Sequence, residues 1–276
     1  MPVRVRVPPP PPAFQEGIVV VEINIWEPEE KARGSLVIVH GLGEHSKRYT
    51  NFAVEIAKAG YKVVAGDLPG HGVYPGLRGY VKNIEVLFER IDEFIREAVP
   101  PIHLFGHSMG GLIALRYAQV RNVEISSLIL SSPALCSRTN AFVRFIACCL
   151  GVFAPRLRLK NGIDVNMLSR NSEAVERYIN DPLVHPWITG RLASILFENM
   201  ERAFHDVDKL KVPVMIVVGM KDEIVPPKGA LNFYERLDGR KVLKKYEECY
   251  HEPFEDPEYS GVLIDDVLSF LNEVGE

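Results

Sequence analysis

The sequence predicts an α/β protein with a mostly parallel central sheet flanked by helices, interrupted once by a helical insertion. Two observations support this prediction. Short runs of β-branched residues alternate with longer segments of helical periodicity, and a chain of 276 residues, 47% of them hydrophobic, can bury one large core. The alternation breaks only between residues 133 and 210. We therefore expect a core formed by residues 18–132 and 211–276, and a helical insertion at 133–210 that we call the cap.

The strands are predicted from β-branched runs that end at turn residues. In chain order these runs are IVVVEINI, SLVIVH, YKVVAGD, IHLFG, ISSLILSS, VPVMIVVG and KVLKKYE.

The helices are predicted from apolar spacing and from residues that end a helix. A helical pattern across 48–59 stops at Gly60, which can adopt the left-handed C-terminal conformation. From Asn83 to Ala98 apolar residues recur at the spacing of one helix face, and the pair at 100–101, two prolines, ends this helix. A last amphipathic helix is predicted near 259–274.

The cap is predicted to be helical and loop-like, without a convincing strand. Its first half is unusually apolar for a surface segment. The longest uncharged apolar run, FIACCLGVFA at 145–154, is too short to cross a bilayer, which takes about 20 residues. We expect a buried or interfacial helix there.

The N-terminal segment MPVRVRVPPPPPAF lacks the apolar core of a signal peptide, so we expect a cytoplasmic protein. The five prolines at 8–12 predict an extended, poorly ordered arm over residues 1–17.

Composition argues against several classes of function. The net charge of −4 and the absence of a Lys/Arg-rich face make nucleic acid an improbable partner. The four cysteines form neither a CxxC pair nor an even framework, which favours reduced packing residues of an intracellular protein over disulfides or zinc. The histidines show no metal-ligand spacing, so we expect neither a metal nor another cofactor.

The stretch GHSMG, residues 106–110, places a serine between two glycines where a predicted strand meets a predicted helix. A serine in this tight turn adopts a strained backbone that lifts its hydroxyl clear of the sheet, and the flanking glycines let neighbouring backbone pass. The helix directs free N–H groups and its positive end toward the site. Ser108 is therefore predicted to be a nucleophile, in preference to a simple helix cap.

A serine nucleophile needs a base and a carboxylate that orients the base. His251, in YEECYHEPFED, is the one histidine after the late strands. The loop after VPVMIVVG offers Asp222 and Glu223, and Asp222 is preferred because it comes first off the strand. The alternative is that the acid and the histidine are ordinary loop residues.

Two backbone amides are predicted to stabilise the oxyanion. HGLG follows a strand at 40–43, where this architecture contributes one donor, which makes it the Leu42 N–H. The Met109 N–H, directly after the serine, supplies the other. Each such donor typically contributes about 3 kcal/mol.

These motifs together resemble the monoacylglycerol lipase and lysophospholipase group of α/β-hydrolases. The resemblance covers nearly the full chain from the first strand onward. It is carried by WEPEEKARGSLVIVHGLGEHSKRY, GDLPGHGVYPGLRG, FGHSMGGLIALRYA, LILSSPAL, DPLVHP, VGMKDEIVPPKGA and YEECYHEPFED. It places the family's triad on Ser108, Asp222 and His251 and its oxyanion amides on Leu42 and Met109.

The resemblance also implies a cap over the active site whose apolar inner wall accommodates an acyl chain. Phe142, Phe145 and Ile146 suit this wall. Glu44 and Arg48 could hydrogen-bond glycerol hydroxyls, with an internal salt bridge that stiffens the loop as the alternative.

The predicted activity is that of a serine esterase, a carboxylic ester hydrolase acting on a small lipid ester. It would split fatty monoesters, monoacylglycerol above all, through an acyl-enzyme. A lysophospholipase or general carboxylesterase is the alternative, since the cap is rich in basic residues: Arg138, Arg144, Arg156, Arg158 and Lys160. A silent binding protein of the same fold would have lost a triad member, whereas this chain keeps all three. The apolar cap helix leaves transient contact with a membrane surface open, and the oligomeric state is not predicted.

Overall fold

The computed structural model describes residues 4–6, 21–122 and 124–275, and within them the central sheet has eight strands. The strands of this sheet are β1 (Arg4–Arg6), β2 (Ile23–Glu27), β3 (Ser35–Val39), β4 (Lys62–Gly66), β5 (Ile102–His107), β6 (Ser127–Ser131), β9 (Val214–Gly219) and β10 (Lys241–Tyr246). Their order is β1-β2-β4-β3-β5-β6-β9-β10. Only the β1–β2 and β2–β4 pairs of this sheet are antiparallel.

This sheet confirms the predicted α/β-hydrolase fold class. Each predicted run contributes a strand, although the first strand starts at Ile23 and its predicted beginning at 18–20 lies outside the described residues. Within the segment 1–17, where an extended, poorly ordered arm is expected, Arg4–Arg6 form the edge strand β1 and pair with β2. The prolines at 8–12 lie outside the described residues.

The helices in the described part of the chain are α1 (Thr50–Lys58), α2 (Ile84–Arg96), α3 (Met109–Val120), α4 (Ala141–Phe153), α5 (Ser172–Asn180), α6 (Gly190–His205), α7 (Lys228–Arg236) and α8 (Tyr259–Gly275). Helix α2 begins at Ile84 because the Asn83 side chain accepts a hydrogen bond from the Val86 N–H. Helix α1 begins two residues later than predicted because 46–49 form a 3-10 turn.

The sheet separates two hydrophobic clusters, because successive side chains of a strand point to opposite faces. In β3, Val37 and Val39 belong to the cluster that includes α2 and α3. Leu36 and Ile38 belong to the other, with α1 and α8. Both faces of the central strands are therefore covered, and the carboxyl ends of the parallel strands lie together at one edge of the sheet.

The cap contains α4, α5, α6 and a feature the sequence did not predict, a two-stranded antiparallel sheet. Its strands are β7 (Arg158–Lys160) and β8 (Trp187–Thr189). Helix α6 also packs deeply on the core, since Leu192, Leu196 and Ala203 lie in the same cluster as α3. The boundaries 133–210 remain a prediction.

Helix α4 lies on the outside of the cap, and Gly151 is its one buried residue. In the described chain no helix has both the length and the apolar character to cross a membrane. The expectation that the cysteines are packing residues holds only for Cys249, because Cys148 is exposed while Cys136 and Cys149 are partly so.

Candidate active site

The candidate catalytic groups lie at the carboxyl ends of β3, β5 and β9 and in the loop after β10. This edge is where open α/β sheets bind ligands, next to the point at which the strand order reverses. Ser108 follows β5, Asp222 follows β9 and His251 follows β10. Residues far apart in the sequence therefore meet because their strands are neighbours.

Ser108 occupies a sharp turn between β5 and α3. Its backbone has φ 54° and ψ −119°, a left-handed region that costs a non-glycine residue about 1–3 kcal/mol. The turn is possible only with small neighbours: a Cβ at Gly106 would lie 2.5 Å from the Gly110 carbonyl oxygen, and one at Gly110 would lie 2.1 Å from that of Val39. The two glycines of GHSMG are thus required by close backbone approach.

A chain of hydrogen bonds joins the three predicted triad residues. His251 Nε2 lies 2.9 Å from Ser108 Oγ, and His251 Nδ1 lies 2.7 Å from Asp222 Oδ2. His251 and Asp222 are 3% and 4% exposed, whereas Ser108 is partly accessible. With Nδ1–H donating to Asp222, Nε2 is free to accept the serine proton.

The structure places Asp222, and not Glu223, against the histidine. Asp222 Oδ1 accepts the N–H groups of Ile224 and Val225 at 2.9 Å, which fixes the carboxylate while Oδ2 faces His251. Glu223 points outward and pairs with Arg138 at 3.5 Å.

The charges around His251 favour its protonated form. Burial lowers the pKa of the imidazole, but the Asp222 carboxylate, its hydrogen bond and the carboxylates of Glu252 and Glu44 outweigh burial and raise the pKa above 6.5. His107, whose ring centroid lies 4.8 Å from that of His251, stays neutral because burial holds its pKa well below 6.5.

Both predicted oxyanion amides lie beside the serine. Met109 is the first residue of α3, so the helix provides no acceptor for its N–H. Leu42 follows Gly41, where a Cβ would lie 3.4 Å from the Ser108 Cβ. Within the described residues neither N–H donates to a protein acceptor. Their role as oxyanion donors stays a prediction.

A cap residue holds the loop that carries Leu42. The His185 N–H donates to the Gly43 carbonyl at 2.8 Å, and His185 Nε2 contacts the Gly70 carbonyl at 3.0 Å. Gly43 has φ 77°, and a Cβ there would lie 2.5 Å from the His185 carbonyl oxygen. The motif DPLVHP indicated this segment, but its contact with the loop required the structure.

Glu44 and Arg48 form the internal salt bridge that was the alternative to binding glycerol. Glu44 Oε1 accepts the Gly41 N–H at 2.5 Å and the Tyr49 hydroxyl at 2.8 Å, and Oε2 accepts from Arg48. Arg48 also binds Glu252, which the sequence analysis missed because no local pattern marks it. The polar atoms of Glu44 are therefore occupied by protein.

Phe142, Phe145 and Ile146, which are expected to form an inner acyl wall, lie on the solvent side of the cap, and their role as that wall stays a prediction. Their side chains are 69%, 65% and 40% exposed. The apolar run located the helix correctly but not the side on which its apolar residues lie, because α4 packs on α6 through Gly151.

Among the described residues no cluster of three or more His, Cys, Asp or Glu side chains could hold a metal ion. The groups that the described residues bring together are the Ser108 hydroxyl, the His251 imidazole and the Asp222 carboxylate, with the Leu42 and Met109 N–H groups beside them.

Comparison with known proteins gives matches over most of the chain. The family described as serine aminopeptidase, S33, matches residues 30–258. A monoacylglycerol lipase of Mycolicibacterium smegmatis is 32% identical over 264 residues, which are 92% of this chain and 94% of that protein. Phospholipase YtpA of Bacillus subtilis is 32% identical over 235 residues, which are 82% of this chain and 91% of that protein.

The crystal structure of a Paleococcus ferrophilus monoacylglycerol lipase is similar in fold and sequence. It has a TM-score of 0.87 and 40% identity, and the match covers 93% of this chain and 100% of that chain.

Proposed function

The chain belongs to the serine aminopeptidase, S33, family, and from this premise we propose that it is a serine esterase that hydrolyses monoacylglycerol to fatty acid and glycerol. The observation that carries the proposal is the hydrogen-bonded chain from Ser108 through His251 to Asp222. The substrate class is supported by the relatives named monoacylglycerol lipase.

The reaction proceeds in two halves. His251 Nε2 removes the Ser108 proton as Oγ attacks the ester carbonyl, and the oxyanion is held by the N–H groups of Leu42 and Met109. Asp222 stabilises the imidazolium. His251 then gives its proton to the glycerol oxygen as the C–O bond breaks, which leaves an acyl-serine.

The second half reverses these roles with water. His251 takes a proton from the water, the hydroxyl oxygen attacks the acyl carbonyl, and the collapsing intermediate returns a proton from His251 to Ser108 as the fatty acid leaves. The pKa of His251, raised by Asp222 and the nearby carboxylates against the effect of burial, suits both steps because the imidazole must gain and lose a proton in each.

Lysophospholipid is the second candidate substrate. It is favoured by the relative named phospholipase and by basic residues on the cap, of which Arg156, Arg158 and Lys160 are exposed. A cationic surface on the cap would attract an anionic headgroup.

The cap is proposed to touch lipid surfaces. Apolar side chains around α4 are open to solvent: Phe142, Val143, Phe145, Ile146, Val152, Phe153, Leu157 and Leu159. The exposed basic side chains of Arg156, Arg158 and Lys160 alternate along the chain with Leu157 and Leu159. Apolar groups bordered by cations are typical of peripheral contact with anionic membranes.

The test is a hydrolysis profile over monoacylglycerol, lysophosphatidylcholine, triacylglycerol and an amino-acid anilide, with Ser108→Ala as the blank. We expect the highest kcat/KM on monoacylglycerol, no turnover by Ser108→Ala and fluorophosphonate labelling of Ser108 in the parent protein. A higher kcat/KM on lysophosphatidylcholine would favour the second candidate. Labelling of a different serine would overturn the mechanism.

A further inference from the structure

A buried ion triad lies directly beside the proposed triad. Arg48 Nη1 donates a hydrogen bond to Glu44 Oε2. The same guanidinium donates two hydrogen bonds of 2.8 Å to Glu252, from Nη1 to Oε1 and from Nη2 to Oε2. The Arg48 side chain is 7% exposed and both glutamate side chains are 3% exposed. Such burial is costly unless the charges are matched and fully hydrogen-bonded.

The two glutamates belong to the two loops on which the proposed chemistry depends. Glu44 binds the N–H of Gly41, the residue before the Leu42 amide. Glu252 directly follows His251, and its N–H donates to the Leu168 carbonyl of the cap at 2.8 Å. Arg48 therefore connects the oxyanion loop with the histidine loop across 204 residues of sequence.

The cap covers this connection. The Arg48 guanidinium carbon lies 4.7 Å from the ring centroid of Tyr178 on α5 and 5.8 Å from that of Phe254. The aromatic rings that face the guanidinium and the carboxylates that bind its edge restrict the movement of the Arg48 side chain.

Resting on the proposed function, we propose that Arg48 is a positioning residue for the reaction. Through the Glu44 and Glu252 carboxylates it fixes the distance between the oxyanion amide of Leu42 and the imidazole of His251. The ion triad of Glu44, Arg48 and Glu252 carries two negative charges and one positive charge. A net negative charge therefore remains beside the His251 imidazole.

The charges that face His251 come from several elements. Asp222 follows β9, Glu44 and Arg48 precede α1, Glu252 follows the histidine itself, and the neutral His107 ends β5. Burial lowers the pKa of His251, whereas Asp222 and then Glu252 and Glu44 raise it. Removing the Glu252 charge should therefore lower the pKa of the imidazole.

The chain offers a matched control for Arg48. Arg170 also forms a two-bond pair with a buried carboxylate, at 2.9 and 2.7 Å from Asp256, and also lies over a tyrosine ring. It also connects the cap to the histidine loop, through Asp256 and Glu258, but it pairs with neither Glu44 nor Glu252.

The experiment compares Arg48→Lys and Arg170→Lys on a short p-nitrophenyl ester, with thermal melting of each. Lysine keeps the charge but cannot form the planar two-bond contact. We expect Arg48→Lys to lower kcat about 10- to 100-fold with KM within about twofold, since small misplacement of reacting groups has effects of that size. Arg170→Lys should change kcat less than about twofold, at a comparable loss of melting temperature.

A second variant tests the charge. Glu252→Gln keeps the size of the side chain and should move the acid limb of kcat/KM, and of the rate of fluorophosphonate labelling, to lower pH. Equal kcat for Arg48→Lys and Arg170→Lys, or an unmoved acid limb in Glu252→Gln, would overturn the positioning role. A parent protein that neither hydrolyses the ester nor is labelled at Ser108 would instead refute the proposed function and the positioning role with it.

Discussion

Replacing Phe142 and Phe145 together by serine should separate membrane contact from catalysis. Both side chains are about two-thirds exposed on α4, so most of their apolar surface contributes nothing to folding. Phenylalanine and serine have similar helix propensities, which leaves the helix itself little affected. We expect a loss of folding free energy of only about 1 kcal/mol.

The effect on lipid binding can be worked from the exposed fractions of 69% and 65%. Full burial of such a side chain contributes about 2 kcal/mol, so two-thirds of it amounts to about 1.4 kcal/mol, or tenfold in affinity, per residue. The double variant should therefore bind vesicles containing anionic lipid about 100-fold more weakly in a sedimentation assay.

Val262→Ser serves as the control, because Val262 is 43% exposed on α8, outside the cap. It should leave vesicle binding unchanged. Turnover of soluble short and long esters, measured below their micelle concentrations, should stay within about twofold in both variants.

Unchanged vesicle binding by the double variant would refute the membrane assignment. A selective loss on the long soluble ester would restore the acyl-wall interpretation, and a change in sedimentation coefficient would mark α4 as a contact between two copies of the chain.

The remaining predictions concern the site itself. Asp222→Asn should keep the fold but lower kcat about 1,000-fold or more, because the histidine tautomer is no longer fixed, while Glu223→Gln should retain kcat; ester kinetics and circular dichroism decide this. Gly43→Ala should lower the melting temperature and slow fluorophosphonate labelling, because φ 77° is strained for alanine and its Cβ would meet the His185 carbonyl at 2.5 Å; unchanged labelling would contradict it. The acid limb of kcat/KM should lie above pH 6.5, since the pKa of His251 is raised and only its neutral form accepts a proton; a limb below pH 6.5 would contradict the electrostatics.

The strands and the nucleophilic turn could be predicted because their signals are local. The glycines around Ser108 satisfy constraints within a few residues, and the strand runs need no knowledge of their partners. The acid of the triad could be predicted because it is expected in the loop after the strand VPVMIVVG, which offers only the adjacent residues Asp222 and Glu223. Asp222 contacts His251 as predicted.

Features set by distant partners could not be predicted in this way. Helix α4 is apolar on a wide face, and only its packing on α6 determines that Phe145 lies outside. The short strand β7 pairs with β8 across the 26 intervening positions 161–186, and its residues are exposed, so no burial pattern marks it. The role of Glu252 depends on its pairing with Arg48, which lies 204 positions away in the sequence, so no local pattern predicts it.

Different parts of the cap are attached to the core to different extents, and this affects which of its residues can be substituted without loss of activity. The segment around His185 and Thr189 is hydrogen-bonded to the core loops at Gly43 and Gly79, whereas α4 buries a single glycine. Substitutions on α4 can accumulate without disturbing the parts that break the ester bond, whereas substitutions around His185 affect both. The outer surface of the cap and the rate of ester cleavage therefore depend on separate stretches of chain, and a library confined to 141–153 can change what the cap contacts at little loss of turnover.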